Sequence, residues 1–257
     1  HHFQDSGMTA LSSSQSGLLL VNPLQRQWFT GKGDAMAPPE SLPIGVRVVA
    51  DLVEENHVRI SVPGIVGRDR QSFIEAQYQA LLPDVALRGS WERASAQPLL
   101  PRPFGLHAVG VASPTLTGQL DELTKAGHPI EGVWTLSYLM AHWAVRQAAL
   151  SGQSWLLLCL GLPYGMRMVL LHDQVPVFSR LLLADDPGMQ AQEVGQTLKY
   201  LTDNRIIERD VRPAILPLDP APALRQGLQD LGLNMLPSMA PRHANGMLAE
   251  VMTLAGS

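Results

Sequence analysis

The residues best suited to chemistry lie in a glycine-containing turn of the apolar stretch Trp155 to Leu183. Gly161 and Gly165 flank Leu162-Pro163-Tyr164. Glycines let backbone N–H groups approach a phosphate because no Cβ intervenes, and a nearby carboxylate would be needed to hold Mg²⁺ or its waters. No carboxylate precedes these glycines, and Tyr164 would crowd a phosphate. The turn therefore has the spacing of a phosphate site without the acid.

Other reactive residue types give weaker signals. Lys32 lies between Gly31 and Gly33, but the pattern GxxxxGK[ST] is absent, so a plain loop is favoured. Cys159 sits inside an apolar run and is expected to be a buried structural thiol. Six histidines outside the N-terminal segment show no paired metal-binding spacing: His57, His107, His128, His142, His172 and His243. Gly-x-Ser-x-Gly is absent, which disfavours a hydrolase, and the acid-free run Trp155 to Leu160 disfavours a metal nuclease.

Several polar residues are better explained by secondary structure than by a ligand. Ser113 precedes Pro114 and is predicted to cap a helix. Asp185-Asp186 before Pro187 suits the positive end of a helix dipole, so no cation is required. Three arginines are expected at a solvated or salt-bridged sheet edge, with acidic residues of a partner as the alternative: Arg167, Arg180 and Arg205.

Composition bounds the class of protein. The 257 residues allow one large domain or two halves, and the charged fraction of 16% is below the roughly 25% of typical soluble domains. We therefore expect a rather apolar surface, part of it facing a partner. The 19 basic residues are scattered and the net charge is −4, which disfavours nucleic-acid binding. The single cysteine fits a reducing compartment, and no apolar run reaches the length of a membrane-spanning helix.

The order of predicted elements indicates the fold. Trp155 to Leu183 predicts three antiparallel strands, followed by a helix, a strand at 214–218, a helix, a short strand at 234–236 and a last helix. This order is typical of a ribonuclease-H-like or actin-like half. The first half also begins with strands, predicted at Gly17 to Val21, Arg26 to Thr30, Val46 to Glu54 and Val58 to Val62.

We therefore predict an α/β protein of two similar lobes, with mixed sheets flanked by helices and a cleft between the lobes. Residues 1–7 are expected to be an expression tag. Residues 8–152 form the first lobe, with an inserted subdomain near 67–95, and residues 153–257 form the second. No sequence repeat proves the duplication.

Three segments carry a family resemblance. Gly67-Arg68-Asp69-Arg70 opens a helix, Leu116 to Gly127 is followed by Gly132-Val133-Trp134-Thr135-Leu136-Ser137, and Phe178-Ser179-Arg180 leads to the helix with Gln196 to Leu201. They resemble actin-like assembly proteins of bacterial type IV pili and type II secretion, the PilM and GspL cytoplasmic-domain class. The likeness covers most of Arg47 to Leu218.

The resemblance implies a scaffold at the cytoplasmic face of the bacterial inner membrane. Members of this class bind a short cytoplasmic segment of a bitopic membrane protein or carry their own membrane helix. We expect such a segment to dock as a strand or extended peptide in a groove between subdomains. A homodimer and an anchor after Ser257 are left open.

The resemblance also makes ATP the cofactor to test. Actin-like ATPases place Asp-x-Gly, followed by Ser or Thr, in the first hairpin of each half. Here Asn22 stands at the acidic position and is followed by Pro23 and Leu24, while the second hairpin keeps only Gly161 and Gly165. The expectation is a pseudo-ATPase without cofactor or metal. The alternatives are Mg²⁺-ATP held by Asn22 and the Gly161 to Gly165 turn, or a module that binds a small molecule or cyclic nucleotide.

Overall fold

A computed structural model describes residues 16–30, 35–37, 45–83, 85, 87–91, 104–184, 186–218, 220–241 and 246–256. The predicted tag, the Gly31-Lys32-Gly33 loop, Asp185 and His243 lie outside these residues. Within them, the strands are β1 (Ser16–Val21), β2 (Arg26–Phe29), β3 (Ala35–Met36), β4 (Gly45–Ala50), β5 (Glu55–Val62), β6 (Leu87–Trp91), β7 (Phe104–Val111), β8 (Ile130–Thr135), β9 (Trp155–Leu162), β10 (Gly165–His172), β11 (Val175–Leu182) and β12 (Ala214–Leu218). The helices are α1 (Gly67–Leu81), α2 (Pro114–Lys125), α3 (Leu136–Val145), α4 (Pro187–Asp203), α5 (Pro222–Asp230) and α6 (Gly246–Met252).

Two sheets share one strand order. The first runs β3-β2-β1-β4-β8 and the second β11-β10-β9-β12, so in both the first strand lies between the second and the fourth. The three predicted antiparallel strands of the second half are confirmed as β9, β10 and β11. The strand predicted at 234–236 is reduced to one parallel bridge between Met235 and Ile215. That bridge lies where β8 lies in the first sheet.

A third sheet is inserted between β4 and β8. It runs β5-β7-β6 and is antiparallel throughout. Helix α1 covers one of its faces, where Tyr78 and Leu82 pack with Ile60, Val62 and Leu106. The strands predicted at Val46 to Glu54 and Val58 to Val62 are both present, as β4 and β5. The predicted boundary between them is wrong, because β4 ends at Ala50 and β5 begins at Glu55. Both edges of β4 are occupied by the parallel strands β1 and β8, so the chain leaves that sheet and β5 begins another.

The main core lies between the first two sheets. Helix α3 is almost wholly apolar and packs beside α6, and both sheets contribute strand residues to the same buried cluster, which includes Leu20, Val49, Leu158 and Val169. Inside it, the indole Nε1 of Trp143 donates to Glu250 Oε1 at 2.9 Å. The two halves are therefore joined by one continuous core.

Candidate functional site

The first hairpin of one sheet and the first hairpin of the other both contact Asp51, the residue that directly follows β4. The backbone N–H of Asp51 donates to the carbonyl of Val21 at 2.8 Å, beside the turn of the first hairpin. Its carboxylate Oδ2 accepts from the hydroxyl of Tyr164 at 2.7 Å. Tyr164 belongs to the two-residue turn between β9 and β10, across which Leu162 pairs with Gly165. The tyrosine thus reaches from one sheet to the end of a strand in the other.

A buried arginine completes this junction. Arg167 of β10 is 1% exposed, and its Nε donates to Asp51 Oδ1 at 2.6 Å. Its Nη2 donates to the carbonyl of Leu52 at 2.8 Å, and its Nη1 donates to Ser179 Oγ at 2.9 Å. The Nη1 also lies 3.7 Å from Glu55 Oε2. One guanidinium therefore binds the segment between β4 and β5 to the second sheet.

Glu55 extends the junction towards the third sheet. Its Oε1 lies 2.7 Å from His57 Nε2 and accepts from Ser137 Oγ, which is itself 2.9 Å from Thr135 Oγ1. Ser137, Glu55 and His57 do not form a nucleophilic triad, because the carboxylate lies between the hydroxyl and the imidazole. Ser137 is also fully buried. The geometry therefore gives no support to a serine hydrolase. We call the set Asp51, Glu55, His57, Ser137, Tyr164, Arg167 and Ser179 the junction network.

Burial and charge set the protonation of the network. Burial raises the pKa of Asp51, although Arg167 and Tyr164 act in the opposite direction. Burial also opposes ionisation of Glu55, but the charge of Arg167, the charge and hydrogen bond of His57 and the hydrogen bond from Ser137 outweigh it, so the pKa of Glu55 is lowered. For Arg167, burial is outweighed by Asp51 and Glu55, and its pKa is raised. Burial and the adjacent Asp51 raise the pKa of Tyr164, so its hydroxyl remains a donor.

The residues proposed to hold ATP have other partners. Asn22 Oδ1 accepts from the N–H groups of Leu24 (3.0 Å) and Gln25 (2.9 Å) and thereby closes the first hairpin. Gly165 has φ +151, and a Cβ there would lie 1.9 Å from the carbonyl oxygen of Leu182. This contact explains the glycine without a ligand. Gly161 pairs with Met166 inside the β9–β10 ladder.

These observations do not fit Mg²⁺-ATP. The carboxylate of Asp51, where the two hairpins meet, is occupied by Arg167 and Tyr164. The space that a glycine leaves at position 165 is filled by the chain's own carbonyl. No group of three His, Cys, Asp or Glu side chains suited to a metal ion occurs in the described part of the chain.

Some of the remaining sequence predictions are confirmed and others are wrong. Cys159 is buried, and burial raises its pKa to about 12, as expected of a structural thiol. Ser113 is the N-cap residue of α2, as predicted, although its side chain makes no capping hydrogen bond and its Oγ has no partner among the described residues. The predicted sheet-edge position is wrong for Arg167, which is buried, and for Arg205, which follows α4 in a turn with φ +58. Arg180 does form a partly exposed pair with Glu193 at 2.9 Å.

The repeated strand order and the two hairpins that meet between the sheets define a two-lobed protein of the actin-like fold. Comparison with solved structures agrees. The chain is similar to the PilM-PilN type IV pilus biogenesis complex, with a TM-score of 0.59 and 14% identity over 95% of this chain and 98% of that one. The fold predicted from the sequence is therefore confirmed.

Two further structures support the same fold. One is the cytoplasmic domain of EpsL, an inner membrane component of the type II secretion system of Vibrio cholerae, with a TM-score of 0.50 and 11% identity over 94% of each chain. The other is a Bacteroides thetaiotaomicron protein with an actin-like ATPase fold and unknown function, with a TM-score of 0.53 and 8% identity over 96% of this chain and 99% of that one. No protein-family model and no curated protein matches the sequence. Of the helices in the described residues, none has both the length and the apolar character needed to cross a bilayer.

Proposed function

We propose that this protein is a cytoplasmic scaffold of a type IV pilus or type II secretion assembly platform, and that its inherited nucleotide site is degenerate. The actin-like fold shared with the PilM-PilN complex and the EpsL cytoplasmic domain supports the assembly role. By analogy with the PilM-PilN complex, the proposed partner of this protein is a short cytoplasmic segment of a bitopic inner-membrane protein. The site of action is the inner face of the bacterial inner membrane.

The observation that carries the degenerate-site proposal is the ion pair between Arg167 and Asp51. A nucleotide in an actin-like cleft joins the two lobes through its phosphates, which need N–H donors and cations. Here the arginine and tyrosine that could supply donors are bound to an internal carboxylate. The lobes are thus tied together by protein groups, and the buried carboxylates would repel a phosphate. A scaffold that holds one arrangement of its lobes needs no ligand for that purpose.

Isothermal titration calorimetry with ATP and Mg²⁺ tests this proposal. We expect no heat of binding at ligand concentrations that saturate actin-like ATPases, and no nucleotide hydrolysis. Binding with a Kd in the micromolar range would overturn the pseudo-ATPase proposal. The same titration with ADP and with Mg²⁺ alone serves as a control for weak ion effects.

One observation favours the alternative in which ATP binds, and it concerns the side chain of Asn22. Asn22 is 2% exposed and its Nδ2 has no hydrogen-bond partner among the described residues. Buried donors without partners are uncommon in proteins, so a ligand oxygen at this position would explain it. If calorimetry shows binding, the Asn22→Ala variant should weaken it, because the variant removes a buried donor that has no partner among the described residues.

The assembly role needs a separate test. A membrane extract from the source bacterium is passed over the immobilised protein, and captured proteins are identified by mass spectrometry. Recovery of a pilus or secretion inner-membrane component is expected. Recovery of none, with a purified and folded bait, would overturn the scaffold proposal whatever the outcome with ATP.

A further inference from the structure

We propose that the third sheet and α1 form a unit hinged on the first lobe, and that a proton on His57 holds this unit closed against both lobes. The unit has a core of its own. In it, Ile60 and Leu106 of the sheet pack with Tyr78 of α1, and none of these residues belongs to the core between the lobes. The proposal does not depend on the scaffold role, since it concerns contacts within the chain.

Two short links that lie side by side join this unit to the first lobe. Residues 51–54 lead from β4 into β5, and Ala112 and Ser113 lead from β7 into α2. The N–H of Ala112 donates to the carbonyl of Glu54 at 3.4 Å, so the two links are in contact. Such a pair of links can act as a hinge, because a few residues at the ends of elements absorb a rotation while both cores stay intact.

One carboxylate next to the hinge joins the unit to both lobes. Glu55 is the first residue of β5, and its Oε1 accepts a hydrogen bond from Ser137 Oγ of α3, in the first lobe. Its Oε2 lies 3.7 Å from Arg167 Nη1, in the second lobe. That oxygen is buried and has no hydrogen-bond partner among the described residues. A change in the charge around Glu55 therefore acts on the contact between the unit and both lobes.

The ionised junction network lacks one positive charge. Asp51 and Glu55 are two carboxylates, and Arg167 supplies a single cation, with the side chains of all three at most 1% exposed. His57 Nε2 lies 2.7 Å from Glu55 Oε1, and the side chain of His57 is 9% exposed. An imidazolium at His57 therefore supplies the missing charge. Without it, an uncompensated charge is buried at high cost, and that cost falls if Glu55 turns towards water.

Asp51 is the other group on which a proton would restore the balance. Burial raises the pKa of Asp51, which accepts from Arg167 Nε at 2.6 Å and from the hydroxyl of Tyr164 at 2.7 Å. Both bonds lie between the lobes rather than at the hinged unit. A proton on Asp51 would weaken the contact between the lobes, whereas a proton on His57 strengthens the contact of the unit. The two groups therefore predict effects in different parts of the chain.

Other charged and titratable groups surround His57. They are Arg59 of β5, His107 of β7, Tyr138 of α3, and Arg167 and His172 of β10. Burial lowers the pKa of His107, and the charges of Arg59, His57 and His172 lower it further, so His107 favours its neutral form. Arg59 and His172 are exposed, so solvent screens their charges. The carboxylate of Glu55 is the partner for an imidazolium at His57.

Release of this proton should loosen the unit as the pH rises. The closed arrangement binds one proton more than the open one, so the ratio of open to closed molecules increases by at most about tenfold per pH unit. Histidine is the side chain that ordinarily changes its charge between about pH 5 and 8. The unit is therefore expected to be closed at pH 6 and to open in part of the molecules at pH 8.

Double electron–electron resonance with spin labels on the full chain tests the proposal. Labels at Ala76→Cys in α1 and Gln192→Cys in α4 report the distance from the unit to the second lobe, and both positions are exposed. The native Cys159 is buried and does not take the label. We expect a second, longer distance whose population rises about tenfold from pH 6 to pH 8. Labels at Asp121→Cys in α2 and Gln192→Cys, which report the distance between the lobes, should show no change.

Variants of the two paired side chains separate a proton switch from a structural contact. His57→Gln keeps a neutral donor, so the longer distance should be populated at both pH values. Glu55→Gln keeps an oxygen for Ser137 and removes the excess negative charge, so the unit should stay closed at both pH values. His128→Gln is the matched control and should behave as the unmodified chain does. Circular dichroism confirms that each variant is folded.

Three outcomes would overturn the proposal. They are a distance from unit to lobe that does not change with pH, the same pH dependence in His57→Gln as in the unmodified chain, and a pH-dependent change between the labels on the two lobes instead. The last outcome would place the proton on Asp51. Proton NMR gives a second readout, in which the imidazole signal that is missing from His57→Gln should titrate with the same midpoint as the opening.

Discussion

Replacing Arg167 by methionine should destabilise this protein far more than replacing an exposed arginine. Methionine keeps a long apolar stem and removes the guanidinium. The variant leaves the carboxylates of Asp51 and Glu55 buried without their cation. Removing one partner of a buried pair typically costs about 3–5 kcal/mol. Because whole domains are stable by only about 5–15 kcal/mol, this loss is a large part of the total.

The contacts of Arg167 support the upper part of that range. Its three nitrogens donate to a carboxylate, a hydroxyl and a backbone carbonyl, all buried. A hydrogen bond to a charged group contributes about 1.5–3 kcal/mol, and acceptors left buried without donors add their desolvation cost. Protonation of Asp51 can relieve part of the loss, since burial already raises its pKa.

Because Asp51 can be protonated, the loss of stability in Arg167→Met should depend on pH. A carboxyl whose pKa is raised in the folded state holds a proton that the unfolded chain has released, so stability falls as the pH rises from its ordinary pKa of 3.8 through the raised value. Loss of Arg167 raises that pKa further. The destabilisation should therefore be larger at pH 8 than at pH 5. Adding Asp51→Asn to the Arg167→Met variant should recover part of the stability at pH 8.

Urea unfolding followed by circular dichroism measures the effect as a shift of the midpoint at constant slope. Arg180→Met is the matched control, because Arg180 and Glu193 form a pair at 2.9 Å with 41% and 25% side-chain exposure. Exposed pairs contribute about 0–1 kcal/mol. Equal losses in the two variants, or a loss below about 1 kcal/mol for Arg167→Met, would show that Arg167 does not stabilise the junction network as a buried cation.

Three further predictions follow from single residues: two use the same unfolding assay, and the third adds the rate of thiol alkylation. Gly165→Ala should cost well over the roughly 1–3 kcal/mol of an unfavourable φ alone, because the new Cβ would meet a carbonyl oxygen at 1.9 Å, whereas Gly127→Ala, also at positive φ but in open space, should stay within that range. Ser113→Ala should be neutral or stabilising, since its buried hydroxyl has no partner among the described residues, while Thr135→Ala should cost about 0.5–2 kcal/mol through its capping bond; equal losses would contradict this contrast. The pKa of the Cys159 thiol is raised from 9.0 to about 12, so at pH 9 it should react with iodoacetamide about 500-fold more slowly in the folded protein than in urea. Stability should fall above pH 9 because only the unfolded chain releases the proton, and fast alkylation of the folded protein would contradict the burial of the thiol.

Local sequence was sufficient for several of the elements that build each lobe. The strands β9, β10 and β11 are short apolar runs separated by turn residues, and their hydrogen-bonded partners are neighbours in the chain. Helix α2 begins at a proline and ends before Gly127, which has φ +80. In each case one or two residues of special geometry fix the boundary, and the periodicity of apolar residues fixes the type.

The candidate site depended on contacts that local sequence does not encode. Asp51 and Arg167 are 116 positions apart, and Glu55 and Ser137 are 82 apart. One signal was present: Arg167 is the lone charge in the apolar run Gly165 to Leu171, and a lone charge in a buried strand needs a buried partner of opposite sign. The sequence does not say which acid that is. The third sheet begins where it does because β4 pairs with both β1 and β8. No local sequence pattern indicates these two pairings.

The shared core between the sheets has a consequence for synthesis on the ribosome. Helix α3 is complete before the first strand of the second half is made, yet Leu139, Met140 and Trp143 are buried in the cluster to which that later half contributes. Until β9 to β12 and α6 emerge, the apolar surface of this helix is exposed to water. The nascent first half is therefore a natural substrate for chaperones that bind exposed apolar segments. Folding of the second half would end that dependence by covering the helix and supplying the arginine that pairs with Asp51 and lies beside Glu55.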